Sequence, residues 1–231
     1  MKKALKAAAR GTVFTYAGQR WIVLEHDASG HTLCLTENIV ESRAFDEDNR
    51  NNFAEASSNR YLNGAFLDNL IEATGGSHAF LIHELDLTAD DGLKDYGTCN
   101  VTIFLLTVDQ YRRNRDIIPN ADDWWWLSTA VSTASNGYEH DARYVLTDGT
   151  LDWSYAFFGG YGLRPACYLD SELLISVPDE YITAEQAGDI AKELVSQYGG
   201  SYATEAQFTA ELSFMLGKLR ATAEKGADDG K

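Results

Sequence analysis

The chain is short of three things, and each shortage closes a class of explanation. It has 3 cysteines in 231 residues, Cys34, Cys99 and Cys167. The number is odd, the spacing is wide and no Cys-x-x-Cys pair occurs, so neither a zinc site nor a dithiol redox motif is indicated. Each cysteine lies in an apolar or β-like run, which reads as a buried free thiol and suits a reducing compartment. Positive charge is scarce: 19 Lys and Arg stand against 35 Asp and Glu, a net charge of −16. A phosphate-backbone binder wants the opposite balance, so no nucleic-acid partner is expected, and an anionic membrane surface is disfavoured on the same grounds. No apolar run approaches the ~20 residues that span a bilayer, so no membrane insertion is expected. Lys6 and Arg10 interrupt what would be the apolar region of a signal peptide. Residues 1–10 therefore read as a short amphipathic helix or a floppy lead-in, on a chain that is cytoplasmic as synthesised.

Catalytic signatures are missing as well. His83-Glu84-Leu85-Asp86-Leu87 starts like a zinc-protease helix, but the second His one turn on is absent. There is no Gly-x-Ser-x-Gly elbow and no phosphate-cradling Gly-x-x-x-x-Gly-Lys-Ser/Thr loop. Gly159-Gly160-Tyr161-Gly162 lacks a basic or helix-opening context and reads as a flexible turn. Asp46, Asp48 and Asn52 alternate as calcium ligands do, but Arg50, the missing glycine and the missing distal Glu argue against that use. His140-Asp141 beside Glu139 could do acid–base work, yet strand neighbours point to opposite faces, so they read as solvent-facing polar residues. No catalytic residue, metal or cofactor is expected.

What is present is a globular composition, with 45% hydrophobic and 12% aromatic residues. Residues 12–16, 20–25 and 31–36 read as a three-stranded meander. Ser58 is placed to cap a helix over 59–73, which Gly75-Gly76 ends. Residues 79–87 and 101–107 read as strands around the acidic loop 88–98. Thr107 and Gln110 form a capping box that opens a helix over 108–115.

The chain is organised around 122–170. Three tryptophans, Trp124, Trp125 and Trp126, stand in one row, with Trp124 and Trp126 expected on one strand face and Trp125 on the other. Large aromatics dominate core energetics, so the row reads as structural. Asp148-Gly149 lies between two aromatic and β-branched runs, 142–147 and 150–156, and predicts a hairpin with a primed two-residue turn. Around it stand Ser132, Asn136, Tyr138, His140, Asp141, Arg143, Tyr144, Asp152, Trp153, Tyr155, Phe157, Phe158 and Tyr161. Amphipathic aromatics mixed with small polar residues are paratope chemistry. The other reading is a polar hairpin whose aromatics cover its own sheet. Arg164, inside an apolar strand, needs a carboxylate or carbonyls and reads as a structural clamp, with Asp170 or Asp122/Asp123 as partners. Beyond Pro178, the boxes Thr183/Gln186 and Thr204/Gln207 predict a helical hairpin over 178–224, with a disordered tail at 225–231.

Several segments occur in a specific order: Trp21-Ile22-Val23-Leu24, Phe45-Asp46-Glu47, Asn51-Asn52-Phe53, Ser58-Asn59-Arg60-Tyr61-Leu62-Asn63, Phe104-Leu105-Leu106-Thr107, Trp124-Trp125-Trp126-Leu127-Ser128 and Gly162-Leu163-Arg164-Pro165-Ala166. Over about residues 11–170 the set resembles an uncharacterised domain common in gut Firmicutes and their phages. That domain is similar to formylglycine-generating-enzyme-like domains and to the variable proteins of diversity-generating retroelements. The resemblance implies an α+β, C-type-lectin-like fold over 11–177, a twisted antiparallel sheet with two flanking helices. Many relatives continue the Trp motif as Leu-Arg-Ser/Thr-Pro, where this chain has Leu127-Ser128-Thr129-Ala130. The stretch before Arg164-Pro165 is often asparagine-rich in relatives. Here it holds the Tyr, Ser, Asp, Phe and Gly mixture that adenine scattering in Asn codons produces. No paired-cysteine copper site and no Glu-Pro-Asn or Gln-Pro-Asp calcium tripeptide is evident. The resulting expectation is a non-enzymatic binding protein of a phage or bacterium, with the virion as one destination. An unknown protein or glycan would be the partner at 132–161. The alternatives are a formylglycine-generating-enzyme-like enzyme using His140, Asp141 or Cys167, and an assembly protein that oligomerises or binds a partner through the C-terminal helices.

Overall fold

The computed structural model describes residues 2–176. The expected helical hairpin over 178–224 and the tail over 225–231 lie outside the described residues. Within 2–176 the architecture is mixed α+β and mostly strand.

The chain begins with β1 (Lys2–Ala4) and a single 3-10 turn at Leu5–Ala7 whose Leu5 is fully buried. The lead-in is therefore part of the sheet structure, not a helix or a loose arm. Strands β2 (Val13–Tyr16), β3 (Gln19–His26) and β4 (His31–Thr36) form the expected meander. The first turn is two residues, Ala17 and Gly18, both at positive φ (51° and 74°). That is the primed geometry whose twist matches paired strands. A short β5 (Glu41–Ser42) follows.

The next helix runs as α1 (Ser57–Tyr61), a π-helical turn at Leu62–Phe66, and α2 (Leu67–Ala73). Ser58 does not cap it. Its side chain is buried inside the first turn, with no hydrogen-bond partner for Oγ among the described residues. Ala56 holds the cap position, and the acceptor comes from the preceding loop: Asp46 Oδ1 takes the Ser57 N–H at 2.8 Å. The same buried carboxylate accepts the Arg50 N–H at 3.0 Å and Arg50 Nε at 2.9 Å. Burial alone would raise its pKa, but the Arg50 hydrogen bond and then the backbone donors hold it below the usual carboxylate range. Asp46 thus ties a loop to a helix terminus. The π turn aims Asn63 outward: its Oδ1 accepts Thr102 and Ile103 N–H, and its Nδ2 reaches Ile103 O.

The strand expected over 79–87 splits into β6 (Phe80–Leu81) and β7 (His83–Asp86), and the one over 101–107 into β8 (Thr98–Val101) and β9 (Ile103–Leu105). The reason is topological. β7 and β8 pair with each other, while β6 and β9 both pair with a later strand. The Thr107/Gln110 capping box is present and opens α3 (Val108–Asn114). Then come β10 (Trp125–Ala130), β11 (Asp141–Val145), β12 (Leu151–Tyr155), β13 (Gly162–Leu163), β14 (Pro165–Asp170) and β15 (Leu174–Ser176). β15 pairs with β1.

Two larger sheets result. One runs β2-β3-β4-β14-β6, with β9 also on β14; the other runs β12-β11-β10-β13-β5. The second is not wholly antiparallel, because β10 and β13 run parallel. The chain passes from the second sheet to the first at one residue, Arg164, between β13 and β14. Its side chain is fully buried, and it donates to three backbone carbonyls: Thr36 at 3.0 Å, Glu37 at 2.8 Å and Pro119 at 3.0 Å. Its guanidinium also lies 5.2 Å over the Trp125 ring. The expected carboxylate partners, Asp170 and Asp122/Asp123, are not used. Carbonyls at the sheet junction supply the acceptors instead.

Candidate functional site

β11 and β12 pair antiparallel with Tyr144 opposite Asp152, Arg143 opposite Trp153 and Asp141 opposite Tyr155. The turn between them is not the expected primed two-residue turn. Leu146 N–H bonds to Thr150 O and Gly149 N–H to Leu146 O, and only Gly149 (φ 82°) has positive φ. This is the three-residue hairpin with a glycine bulge; a type I′ turn would need positive φ at Asp148 too. Tyr111 OH seals the turn from α3 by donating to Gly149 O at 2.7 Å.

Strand alternation sorts the candidate residues onto two faces. On the first are Trp124, Trp126, Tyr144, Asp152 and Ser154. Tyr161 closes over them, 4.5 Å from Tyr144, 4.7 Å from Trp126 and 5.3 Å from Trp124 between ring centroids. Trp126 continues inward to Phe45, and Phe45 to Phe53. Phe158 stands 5.4 Å from Tyr161 and leads outward to Phe157 and then Tyr155. A chain of rings thus runs from the core to the surface. On the second face are Trp125, Arg143, Asp141, Trp153 and Tyr155. Trp125 is buried against Tyr111. Trp153 has no ring partner among the described residues.

Exposure separates anchors from supports. Tyr138, Trp153, Tyr155, Phe157 and Phe158 are 49–53% exposed, and Trp124 is 37% exposed at the strand entrance. Trp125 and Trp126 are sealed in the core, whereas Trp124 sits at its edge. Tyr144 and Tyr161, expected as ligand anchors, are buried at 5% and 8%. Burial, then the Tyr161 hydrogen bond, pushes the Tyr144 hydroxyl above its usual pKa. Ser132 and Asp141 are buried too. Asn136, His140 and Asp152 stay exposed, and Arg143 is half-buried.

The connection from β10 to β11 is held from outside. Asn51 Nδ2 reaches the carbonyls of Ser132 (3.0 Å), Tyr138 (2.7 Å) and Asp141 (3.0 Å), while its Oδ1 accepts Tyr96 OH at 2.7 Å. The acidic loop 88–98 supplies the remaining ties. Ser132 donates to Asp91 at 2.5 Å, and Thr133 and Ser135 both donate to Asp95. Hydrogen bonds from Ser132 to Asp91, and from Ser135 and Thr133 to Asp95, hold both carboxyls below their usual pKa. Arg143 bonds Asp90 at 2.6 Å, and Asp90 also faces Arg112 at 3.4 Å. Sequence reasoning missed Asn51 and these acids as supports, because each acts on residues roughly 40 to 90 positions away.

His140 and Asp141 do not form a working pair. His140 Nδ1 lies 2.7 Å from the Asn49 carbonyl, so that nitrogen carries the proton. Asp141 Oδ1 is buried without a hydrogen-bond partner among the described residues, and burial pushes its carboxyl above the usual pKa. Cys34 and Cys167 are directly opposed across β4 and β14, a proximity hidden by their sequence separation. Both are fully buried and burial raises both thiols, which favours the neutral, unreactive form. A cleft of about 490 Å³ lies elsewhere, lined by Asn59, Arg60, Asn63 and Ile82, but the Asn63 amide is already spent on the β8–β9 junction.

Residues 76–171 match a family described as a domain of unknown function, DUF6273. The match spans the acidic loop, the Trp row and the whole hairpin. Neither the curated proteins nor the solved structures gave a match. Among the described residues no helix is long and apolar enough to cross a membrane.

Proposed function

We propose that this chain is a non-enzymatic recognition module with a C-type-lectin-like scaffold, and that the β11–β12 hairpin with the loop after it is its ligand surface. One observation carries the reading: Tyr138, Trp153, Tyr155, Phe157 and Phe158 each leave about half of a large ring in solvent within one short stretch. Exposed aromatic surface lowers solubility unless a partner covers it, and Trp and Tyr are the usual anchors of interfaces. The rings also have rigid backing, since Phe158 rests on Tyr161 and Tyr161 on Trp126. Rigid aromatic contacts lose little entropy on binding.

The hairpin is suited to side-chain recognition, not to strand addition. β12 is an edge strand, but Asp152 Oδ1 accepts the Trp153 N–H at 2.8 Å and the Tyr155 carbonyl accepts the Phe158 N–H at 3.0 Å. An edge with two of its groups already occupied from within is a poorer template for another strand.

The test is binding of the purified protein to bacterial surfaces and a glycan array, beside the Trp153→Ala/Tyr155→Ala/Phe158→Ala triple variant. The expected result is binding by the parent, loss in the variant, and a nearly unchanged melting temperature. A variant that unfolds, or one that binds as the parent does, would sink the reading. A near-repeat of the coding segment for 132–161, differing mainly at adenines and lying beside a reverse transcriptase gene, would add the genetic diversification that the family resemblance implies.

A further inference from the structure

The second face of the hairpin combines two features that stability alone does not explain. Tyr155 and Trp153 are half exposed, and directly opposite Tyr155 stands Asp141, 8% exposed, with Oδ1 lacking a hydrogen-bond partner among the described residues. A buried carboxylate oxygen without a donor is costly. An aromatic ring beside it is attractive to a cation through its quadrupole. The charge along this part of the chain is mainly negative. Residues 116–176 contain nine carboxylates and two cationic side chains, Arg143 and Arg164. Arg164 is spent on three carbonyls and Arg143 on Asp90. Asp122, Asp123, Asp141 and Asp152 have no cationic partner within 4.0 Å among the described residues. His140, next to Asp141 in sequence, faces Glu139 at 3.7 Å.

We propose that this face takes an arginine or lysine side chain from a basic protein partner, stacked on Tyr155 and Trp153, with Asp141 as its counter-ion. The proposal rests on the recognition reading above and supplies the chemistry of the partner. A cation there would give the Asp141 carboxylate a counter-ion and cover exposed ring surface, while the charge of Arg143 on the same face is already paired with Asp90. Burial already holds the Asp141 carboxyl above its usual pKa, a penalty that a bound cation would relieve. An anionic glycan or a phosphopeptide would meet the opposite balance.

The experiment is fluorescence anisotropy with labelled Gly-Ser-spaced peptides carrying arginine, citrulline or glutamate at the same positions. Citrulline keeps the shape of arginine and removes its charge. Binding of the arginine peptide, at least ten-fold weaker binding of the citrulline peptide, and a five-fold or greater loss in both Asp141→Asn and Tyr155→Ala support the proposal. The control is Asp68→Asn/Glu172→Gln, which removes two exposed carboxylates outside the hairpin and should change affinity less than two-fold. Equal loss in the control would reduce the effect to overall charge and overturn the proposal. Equal binding of the citrulline peptide, or no arginine-peptide binding at millimolar concentration, would overturn it as well. If the triple alanine variant loses its surface or glycan target while Asp141→Asn keeps it, the recognition module stands and the cationic partner falls.

Discussion

Replacing Arg164 by methionine tests the junction between the two sheets. Methionine fills much of the same volume, so the perturbation is chiefly electrostatic. It strands the carbonyls of Thr36, Glu37 and Pro119. Each buried acceptor left unsatisfied costs about 1–3 kcal/mol. Against that, the wild-type chain pays several kcal/mol to bury a guanidinium with no carboxylate partner. Burial lowers its pKa to about 10, so it remains charged at neutral pH. The two terms oppose, but the guanidinium is compensated by three well-placed acceptors and the Trp125 face, whereas the stranded carbonyls of the variant have nothing. The expected net loss is therefore about 3–5 kcal/mol, in the lower half of the roughly 3–9 kcal/mol that three stranded acceptors span. At roughly 2–4 °C per kcal/mol for a domain of this size, the melting temperature should fall on the order of 6–20 °C. Lysine should fall in between, since one ammonium cannot reproduce the planar fork. Thermal and urea melts followed by circular dichroism measure both. A methionine variant as stable as the parent would refute the argument and show that burying the charge costs as much as its bonds return.

Asn51→Ala removes the amide that reaches three carbonyls of the β10–β11 connection, and should cost roughly 2–3 kcal/mol. Amide exchange should accelerate across 132–141 before the rest of the chain; uniform acceleration would mean that Asn51 is not a local tie. Asp141→Asn should raise the melting temperature at pH 7, because a carboxyl whose folded pKa is raised by burial is penalised whenever it is ionised in the fold. The sign follows from linkage: between the unfolded pKa and the raised folded one, the folded state holds more protons, so the wild type loses stability as pH rises through that interval. The gain of the variant should therefore be complete above the folded pKa and vanish below about pH 3.9, the ordinary Asp value. A gain that is independent of pH would show that the charge is not its source.

The hairpin was legible because its two runs alternate around an Asp-Gly pair, and the α3 capping box because both partners are local. The turn type was not. Asp148-Gly149 has the residues of a primed turn, yet the ladder closes from Leu146 to Thr150, and the primed turn is formed at Ala17-Gly18. The Arg164 partners were hidden for a different reason. Every residue has a carbonyl, so no residue type marks those three. Parity alone would have divided the candidate aromatics. Once Tyr144 opposes Asp152, even-numbered hairpin residues face Trp126 and odd-numbered ones face Arg143, which places Tyr144 in a packed layer and leaves Trp153 and Tyr155 on the far side. The opposition of Cys34 and Cys167 needs the pairing of β4 with β14, and that pairing joins strands more than 120 residues apart.

Asp141 connects stability to recognition in one residue. Its unpartnered oxygen and the open rings of Tyr155 and Trp153 all work against the isolated chain, the first by desolvation and the others by exposed apolar area. Local rules are most often broken where a site is waiting for a ligand. If that is the case here, Asp141→Asn should separate the two quantities, melting higher while binding the arginine peptide less. A variant that gains stability and keeps its affinity would place the orphaned carboxylate outside the interface. The hydrophobic rings alone would then have to account for recognition.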